Sequence, residues 1–265
     1  MRTYLKGDKT IMDMDNPKFW EVFMELFDDM PRFGPGSDHS MKKVLAMVPE
    51  LPEKSLIADL GAGNGIATFQ LAEFFRHAKI VVVDNHGPFM DGFNQKAKEL
   101  GLDNRLKGVA GDMIEPPLET HSADMIISEG AIYNVGFEKG MRAWRHYLKE
   151  DGLVVVSEAV WLISNPPDEI KAMWESEYPA ITSIDSNLEL IELAGYECLD
   201  HFTLPRSDWW DEYYVPMQKR VSVMQKKYEK DDEALDVMNY FEHEIEMFEK
   251  YGDTYGYEFF VCKKK

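Results

Sequence analysis

Ile57-Ala58-Asp59-Leu60-Gly61-Ala62-Gly63-Asn64-Gly65-Ile66-Ala67 reads as a short apolar strand, a glycine-rich turn and the start of a helix. Glycine tolerates positive φ and lets a ligand approach the backbone closely. The first turn of the helix offers N–H groups that have no partner within it. A dinucleotide fingerprint, G-x-G-x-x-G, requires glycine at position 66. This chain has Ile66 there and its third glycine at Gly65, so the register is D-x-G-x-G-x-G.

Working outward, short apolar runs at 55–60, 79–84, 106–110, 124–128 and 153–157 alternate with helical stretches. Those stretches carry Phe69/Ala72/Phe75, Phe89/Phe93/Ala97/Leu100 and Met141/Trp144/Leu148 at helical spacing. Continuous apolar runs between helices are the pattern of strands buried on both faces of a parallel sheet. Gly101 and the pair Asp151-Gly152 are expected to end helices. Helices over 167–177 and 185–194, a strand over 197–204, a charged helical region over 208–251 and a last strand over 257–261 follow. Upstream, Asn16 as cap and Pro17 at the first helical position open a helix carrying Phe19, Phe23, Leu26, Phe27 and Met30. A glycine- and proline-rich break over 33–38 precedes a second helix with Met41, Val44, Leu45 and Val48. The expected organisation is a helical cap over 1–50 and an α/β domain over 51–265, within which 205–251 form a helical lid. For the lid aromatics, among them Trp209 and Tyr213, filling a core is the plainer account and covering a sheet edge the functional one.

The 265 residues carry 48 acidic against 29 basic side chains, a formal charge of -19. Such a balance repels a phosphate backbone and argues against a nucleic-acid partner. Two cysteines, Cys198 and Cys262, make neither a disulfide framework nor a thiolate cluster. With no signal-peptide core at the start and no apolar run long enough for a membrane span, a cytoplasmic protein without membrane attachment is expected. A homodimer is compatible with this composition.

The second apolar run ends in Asp84-Asn85, where a carboxylate at the strand's C-terminal edge suits a ribose diol; its alternative role is to cap the next helix. The third ends in Gly111-Asp112-Met113, an acceptor for an exocyclic amine beside a thioether suited to an aromatic face. The fourth runs into Ser128-Glu129-Gly130-Ala131-Ile132-Tyr133.

From about residue 33 to the last strand, these motifs resemble the class I S-adenosylmethionine-dependent methyltransferases. The likeness is nearest to the bacterial and archaeal small-molecule enzymes, and distant to the ubiquinone/menaquinone methylases. It implies a Rossmann-like α/β fold with a seven-stranded, mostly parallel sheet whose last strand is antiparallel. It also implies S-adenosylmethionine as cofactor. Asp59, Gly61, Gly63 and Asn64 would hold its methionine moiety and ribose, Asp84 with Asn85 the ribose hydroxyls, and Asp112 and Met113 the adenine, while Ser128 and Glu129 open toward the methyl group. The Asn/Asp-Pro-Pro-Tyr/Phe signature of amide and base methylases is missing after the fourth strand. So are a magnesium-type aspartate set and H-E-x-x-H, and no metal is expected.

Methyl transfer needs an in-line nucleophile and, for a hydroxyl, thiol or ammonium acceptor, a base. Candidates for catalysis are Glu129, Tyr133 and Glu158, the two glutamates following neighbouring strands. His39, His86, Phe33, Trp161, Trp209 and Tyr213 are candidates for the acceptor pocket. Each has a structural alternative as a helix cap or core residue. The activity expected is methyl transfer to a small neutral or cationic acceptor. A nicotinamide-dependent oxidoreductase and a non-catalytic nucleoside-binding protein stand as rivals, the former disfavoured by Ile66.

Overall fold

The computed structural model describes residues 17–28 and 30–265. Asn16, expected as a helix cap, lies outside them. The chain divides into two compact units. One comprises Ser37–Ser164, Ala180–Leu204 and Gly256–Lys265; the other comprises the described residues up to Gly36, Asn165–Pro179 and Pro205–Tyr255.

The first unit is built on a single sheet. Its strands are β1 (Leu56–Leu60), β2 (Lys79–Asp84), β3 (Leu106–Ala110), β4 (Ala123–Ser128), β5 (Leu148–Trp161), β6 (Thr182–Ser183), β7 (Tyr196–Thr203) and β8 (Tyr255–Lys264), in the order β3-β2-β1-β4-β5-β8-β7 with β6 paired to β5. The pairs β1–β2, β1–β4, β2–β3 and β4–β5 are parallel, and β7–β8 is antiparallel. The expected mostly parallel Rossmann-like sheet with an antiparallel last strand is therefore present, with the two-residue β6 as an eighth strand. β6 is too short to show a periodicity, so sequence pattern alone does not reveal it. The central runs read as strands because they are buried along nearly their whole length: β4 is buried at every position and β1 at all but the first, while β2 and β3, toward the sheet edge, mix buried with more exposed positions.

Helices α2 (Asp38–Met47), α3 (Ile66–Phe74), α4 (Gly87–Glu99), α5 (Phe137–Trp144) and α7 (Ile184–Leu193) belong to this unit. Ser37 caps α2, accepting from the Ser40 N–H at 3.1 Å. Although α2 reads in sequence as part of the N-terminal cap, it falls in the sheet unit, because its apolar face (Met41, Val44, Leu45) packs toward α3. Trp144, at the end of α5, is wholly buried among Ile126, Met141, Val154 and Tyr196, and its indole N–H donates to the Met113 carbonyl at 2.7 Å.

Asp151-Gly152 does not end a helix. α5 stops at Trp144, and Leu148 already belongs to β5. Between the pairs Ala123↔Leu148 and Met125↔Leu153, β5 carries three more residues than β4 and loops out, with Asp151 at φ 62°. Lys149 Nζ, 2.8 Å from the Asp124 carboxylate, and Lys263 Nζ, 2.9 Å from Asp151, hold the loop.

The second unit is helical: α1 (Pro17–Phe27), α6 (Asp168–Glu177), α8 (Arg206–Trp209), α9 (Val215–Lys227) and α10 (Asp232–Tyr251), with a π turn over Trp210–Tyr214 joining α8 to α9. Phe23 and Phe27 of α1 meet Phe241 of α10 at ring separations of 5.9 and 5.7 Å. Arg220 donates to the carbonyls of Glu25 and Leu26, supplying partners that the end of α1 lacks. The charged region breaks between α9 and α10, where Asp231 caps α10 by accepting from the Ala234 N–H.

Trp144→Ala should cost about 3–5 kcal/mol, the range for removing a large buried aromatic. Denaturant unfolding checks it; a loss below about 1 kcal/mol would mean that the helix α5 side of the sheet is not packed as described.

Candidate active site

Because β3, β2, β1 and β4 are adjacent and parallel, the turns after them share one edge of the sheet. That edge is the place where open α/β sheets bind ligands. Four segments meet there: Gly61–Gly65, Asp84–His86, Gly111–Met113 and Glu129–Tyr133. None of them contains Lys or Arg.

The glycine turn is held by the end of β2. The N–H groups of Gly61 and Ala62 donate to the Val83 carbonyl at 2.8 and 3.3 Å, and that of Gly63 donates to Asp84 Oδ2 at 2.8 Å. A Cβ on Gly61, which has φ +75°, would lie 2.5 Å from the Ala131 Cβ, and one on Gly65 would lie 2.3 Å from the Phe93 ring. Only glycine fits either place. The Met113 methyl and sulfur lie 3.5 and 3.7 Å from that same Gly61 position, so the thioether rests against the turn.

Asp84 Oδ1 accepts from the His86 N–H at 2.9 Å. The carboxylate thus ties the glycine turn and the entry to α4 together, while the N-cap of α4 is His86. A carboxylate has about four lone-pair sites, so two backbone bonds leave acceptor capacity on both oxygens.

Asp59, at 4% exposure, accepts from the Thr68 hydroxyl at 2.5 Å. Burial pushes its carboxyl up to about 7; the Thr68 bond opposes this, and the charges of Glu129 and Asp84 add to it. Asp59 therefore feels the charges of two neighbouring carboxylates, Asp84 and Glu129. Ser128 is wholly buried at the end of β4, and its hydroxyl has no partner among the described residues. Gly130 N–H donates to Ser157 Oγ at 2.7 Å, bracing the Glu129 turn against β5.

Other sequence candidates fall elsewhere or do other work. Asn64 Oδ1 accepts from the Ile66 N–H at 3.2 Å, stiffening the turn, and Asp112 Oδ1 does the same for Ile114 N–H at 2.7 Å. Asn85 and His39 are exposed, and Tyr133 is 38% exposed. The His86 ring meets Phe89 at 4.4 Å. Glu158 is buried inside β5 rather than ending it, because that strand continues to Trp161. Phe33, Trp209 and Tyr213 belong to the helical unit. There Trp209 stacks on Phe248 at 5.2 Å, Tyr213 adjoins Tyr214 at 5.0 Å and Phe33 meets Phe27 at 5.5 Å. Thr68, Ser157 and Ala131, which shape the site, give no sequence signal beyond a small or hydroxyl residue near a glycine turn or strand end.

A Rossmann-like sheet with a glycine turn set among carboxylates defines a nucleoside-binding enzyme of the methyltransferase type. Residues 53–226 match the family described as methyltransferase domain. The chain belongs to that family; it is a methyltransferase of class I, S-adenosylmethionine-dependent architecture.

No curated protein sequence matches the chain. Among solved structures, it is similar to a SAM-dependent methyltransferase from Geobacter sulfurreducens in complex with S-adenosyl-L-homocysteine. That match has 17% identity, covers 92% of this chain and 98% of that one, and has a TM-score of 0.78. A putative sarcosine dimethylglycine methyltransferase from Galdieria sulphuraria is similar at 20% identity, 86% and 84% coverage and TM-score 0.71. The (4+2)-cyclase SpnF is similar at 17% identity, 93% and 94% coverage and TM-score 0.73.

The folded protein keeps the Asp59 proton between the ordinary value of 3.8 and about 7, where the unfolded chain has released it. The resulting stabilisation is full below the lower value and lost as pH rises through the upper. Asp59→Asn keeps an acceptor for Thr68 and carries no charge. In the ligand-free protein its gain in melting temperature over wild type should grow between about pH 5 and about pH 8. An equal offset at both would show that Asp59 does not carry this proton.

Proposed function

We propose that the protein transfers a methyl group from S-adenosylmethionine to a small neutral or cationic acceptor. The observation that carries the cofactor reading is the glycine turn hydrogen-bonded to Asp84, with the charges of Asp84 and Glu129 felt by the buried Asp59 beside it. That donor set fits a nucleoside carrying a sulfonium and an ammonium, and it repels the diphosphate of a nicotinamide dinucleotide. The sulfonium supplies an electrophilic methyl group.

The remaining work falls to the chain. Asp84 accepts from the ribose hydroxyls, with Asn85 beside it. Asp59, Gly61, Gly63 and Asn64 receive the amino-acid end and ribose, and Met113 and Asp112 receive the base. Ser128 supplies a buried hydroxyl at the end of β4. Glu129 and Glu158 attract a cationic acceptor or take its proton, and Tyr133 and Trp161 contact its apolar part. Holding two reactants in line contributes about 7–11 kcal/mol, so positioning is the larger part of this catalysis.

The charge of -19 supports an acceptor that is not a nucleic acid, and the cysteine usage supports a cytoplasmic setting. Among the described residues no helix is long and apolar enough to cross a membrane.

S-adenosylhomocysteine should raise the melting temperature, by about 2.7 kcal/mol of stabilisation at a hundredfold excess over its dissociation constant, and NADH should not. Stabilisation by NADH alone would overturn the cofactor reading. Asp84→Asn should weaken S-adenosylhomocysteine binding by roughly tenfold to a hundredfold in calorimetry, the worth of charge-assisted bonds. For the acceptor, S-adenosylhomocysteine release across a metabolite library should select amines or neutral compounds. Turnover should fall at least about tenfold in Glu129→Gln or Glu158→Gln, a modest share of a general-base contribution. A polyanionic acceptor, or full turnover in both variants, would remove the glutamates from the acceptor site and leave the cofactor reading intact.

A further inference from the structure

The only two cysteines of the chain, 64 positions apart, are brought face to face. In the antiparallel pair β7–β8 the register sets Cys198 opposite Cys262. Directly opposed residues of such a pair point to the same face with Cβ atoms about 4.5–5.5 Å apart. A disulfide needs about 3.5–4.5 Å, so a small approach of the strands suffices. The shared face is visible in the packing: Cys262 belongs to the core with Ile191, Ala194, Tyr196 and Phe260, and Cys198 packs against that core. A register shift between Cys198 and Asp200 interrupts the ladder beside the pair, where a bulge bends the strand.

The two sulfurs are not equivalent. β7 is an edge strand and Cys198 is half-buried, whereas Cys262 is fully enclosed. Cys198 Sγ lies 3.4 Å from the Asp200 carbonyl oxygen. The hydrogen bond with the Cys262 thiol and the nearby His201 charge lower the Cys198 pKa, against the opposing effects of burial and the Asp200 carboxylate. His201 Nδ1 lies 2.6 Å from Glu258 Oε1, and that hydrogen bond raises the imidazole's pKa. The other oxygen of Glu258 accepts from the Thr203 hydroxyl, fixing the carboxylate. The Cys262 thiol is pushed up, first by its hydrogen bond to Cys198 and then by burial. One sulfur is thus the more exposed and the more readily ionised, and the other lies buried opposite it as a thiol.

We propose that Cys198 is a modification site for low-molecular-weight disulfides of the glutathione type, with Cys262 as its resolving thiol. The Cys198 thiolate attacks one sulfur of the disulfide RSSR, forming a mixed disulfide and expelling one RS⁻. Cys262 then loses its proton, attacks the Cys198 sulfur and expels the second RS⁻. The protein dithiol is oxidised by two electrons and the small disulfide is reduced to two thiols, the two protons from the cysteines ending on them. Excess free thiol reverses both steps. The bond joins β7 to β8, the two strands between which the chain runs through α8, α9 and α10, at the end of their ladder away from the Thr203↔Glu258 pair.

The test treats the full-length protein with oxidised glutathione, blocks remaining thiols with N-ethylmaleimide and reads intact mass and peptide maps. Wild type should lose the mass of two hydrogen atoms, take up no maleimide, and recover both alkylatable thiols after reduced glutathione. Cys262→Ala should stop at one glutathionyl group on Cys198. Cys198→Ser, a change at the half-buried position, should take up none. Wild type that accumulates the glutathionyl adduct, or retains two alkylatable thiols under conditions that modify Cys262→Ala, would overturn the pairing. A Cys198→Ser variant glutathionylated at Cys262 would overturn the assignment of the attacking sulfur.

Discussion

The bond from Gly63 N–H to the Asp84 carboxylate organises the rest of the site. It draws the turn after β1 onto the end of β2, where the Val83 carbonyl takes the preceding two N–H groups. The turn can lie that close only because Gly61 and Gly65 lack side chains, and the spaces those side chains would fill are taken by Ala131, Met113 and Phe93. Neighbouring strand ends are thereby committed to one another: the turn after β4 supplies Ala131, the turn after β3 supplies Met113, and the Trp144 indole N–H donates to the Met113 carbonyl. Asp84 is at once a structural tie and an acceptor with lone pairs to spare. The charges of Asp84 and Glu129, which help to keep the Asp59 proton in place, make this edge of the sheet suited to cations.

What was legible in the sequence follows from range. The strand–turn–helix at 57–67 and the alternation through 157 are local patterns; β1 to β4 lie within a residue of the expected runs, whereas β5 extends well beyond its run, from Leu148 to Trp161. The D-x-G-x-G-x-G register also separated this turn from the dinucleotide one. The loop at Asp151-Gly152 was read as a helix end because a glycine preceded by aspartate looks the same in either setting; only the β4 register distinguishes them. Glu158 was placed at a strand end because Ser157 and Glu158 interrupt an apolar run, although β5 continues beyond them. The composite second unit was beyond local reading. Its three segments come from separate parts of the chain, and α1 is joined to α9 and α10 by contacts spanning about two hundred residues, such as Arg220 with Leu26.

The two units differ in what they are built from. The sheet unit carries the glycine turn and the carboxylates Asp59, Asp84 and Glu129. In the helical unit Trp209, Tyr214 and Phe248 stack on one another, and the π turn displaces the residues between α8 and α9 from regular helical register. A fold of this kind also serves a cyclase, so architecture alone does not dictate which bond is made. Chemical selectivity must come from side chains that the common sheet does not prescribe.

The place of β8 has a consequence for how the protein assembles. The strands β3, β2, β1, β4 and β5 all lie within residues 56–161 and can pair as soon as that stretch has left the ribosome. After the two-residue β6, which pairs with β5, comes β7, yet its place in the sheet is beside β8, which is still some fifty residues away. Until β8 arrives, β7 has no hydrogen-bonding neighbour and β5 has an open edge, which is the kind of exposure that favours pairing with another chain. When β8 slots between them, Lys264 Nζ reaches the Leu148 carbonyl at 3.0 Å and Arg145 donates to the Lys265 carbonyl at 2.5 Å. Residues 264 and 265 therefore latch β8 to distant parts of the sheet unit, and closing the sheet around this strand depends on long-range pairing, the kind that forms slowly.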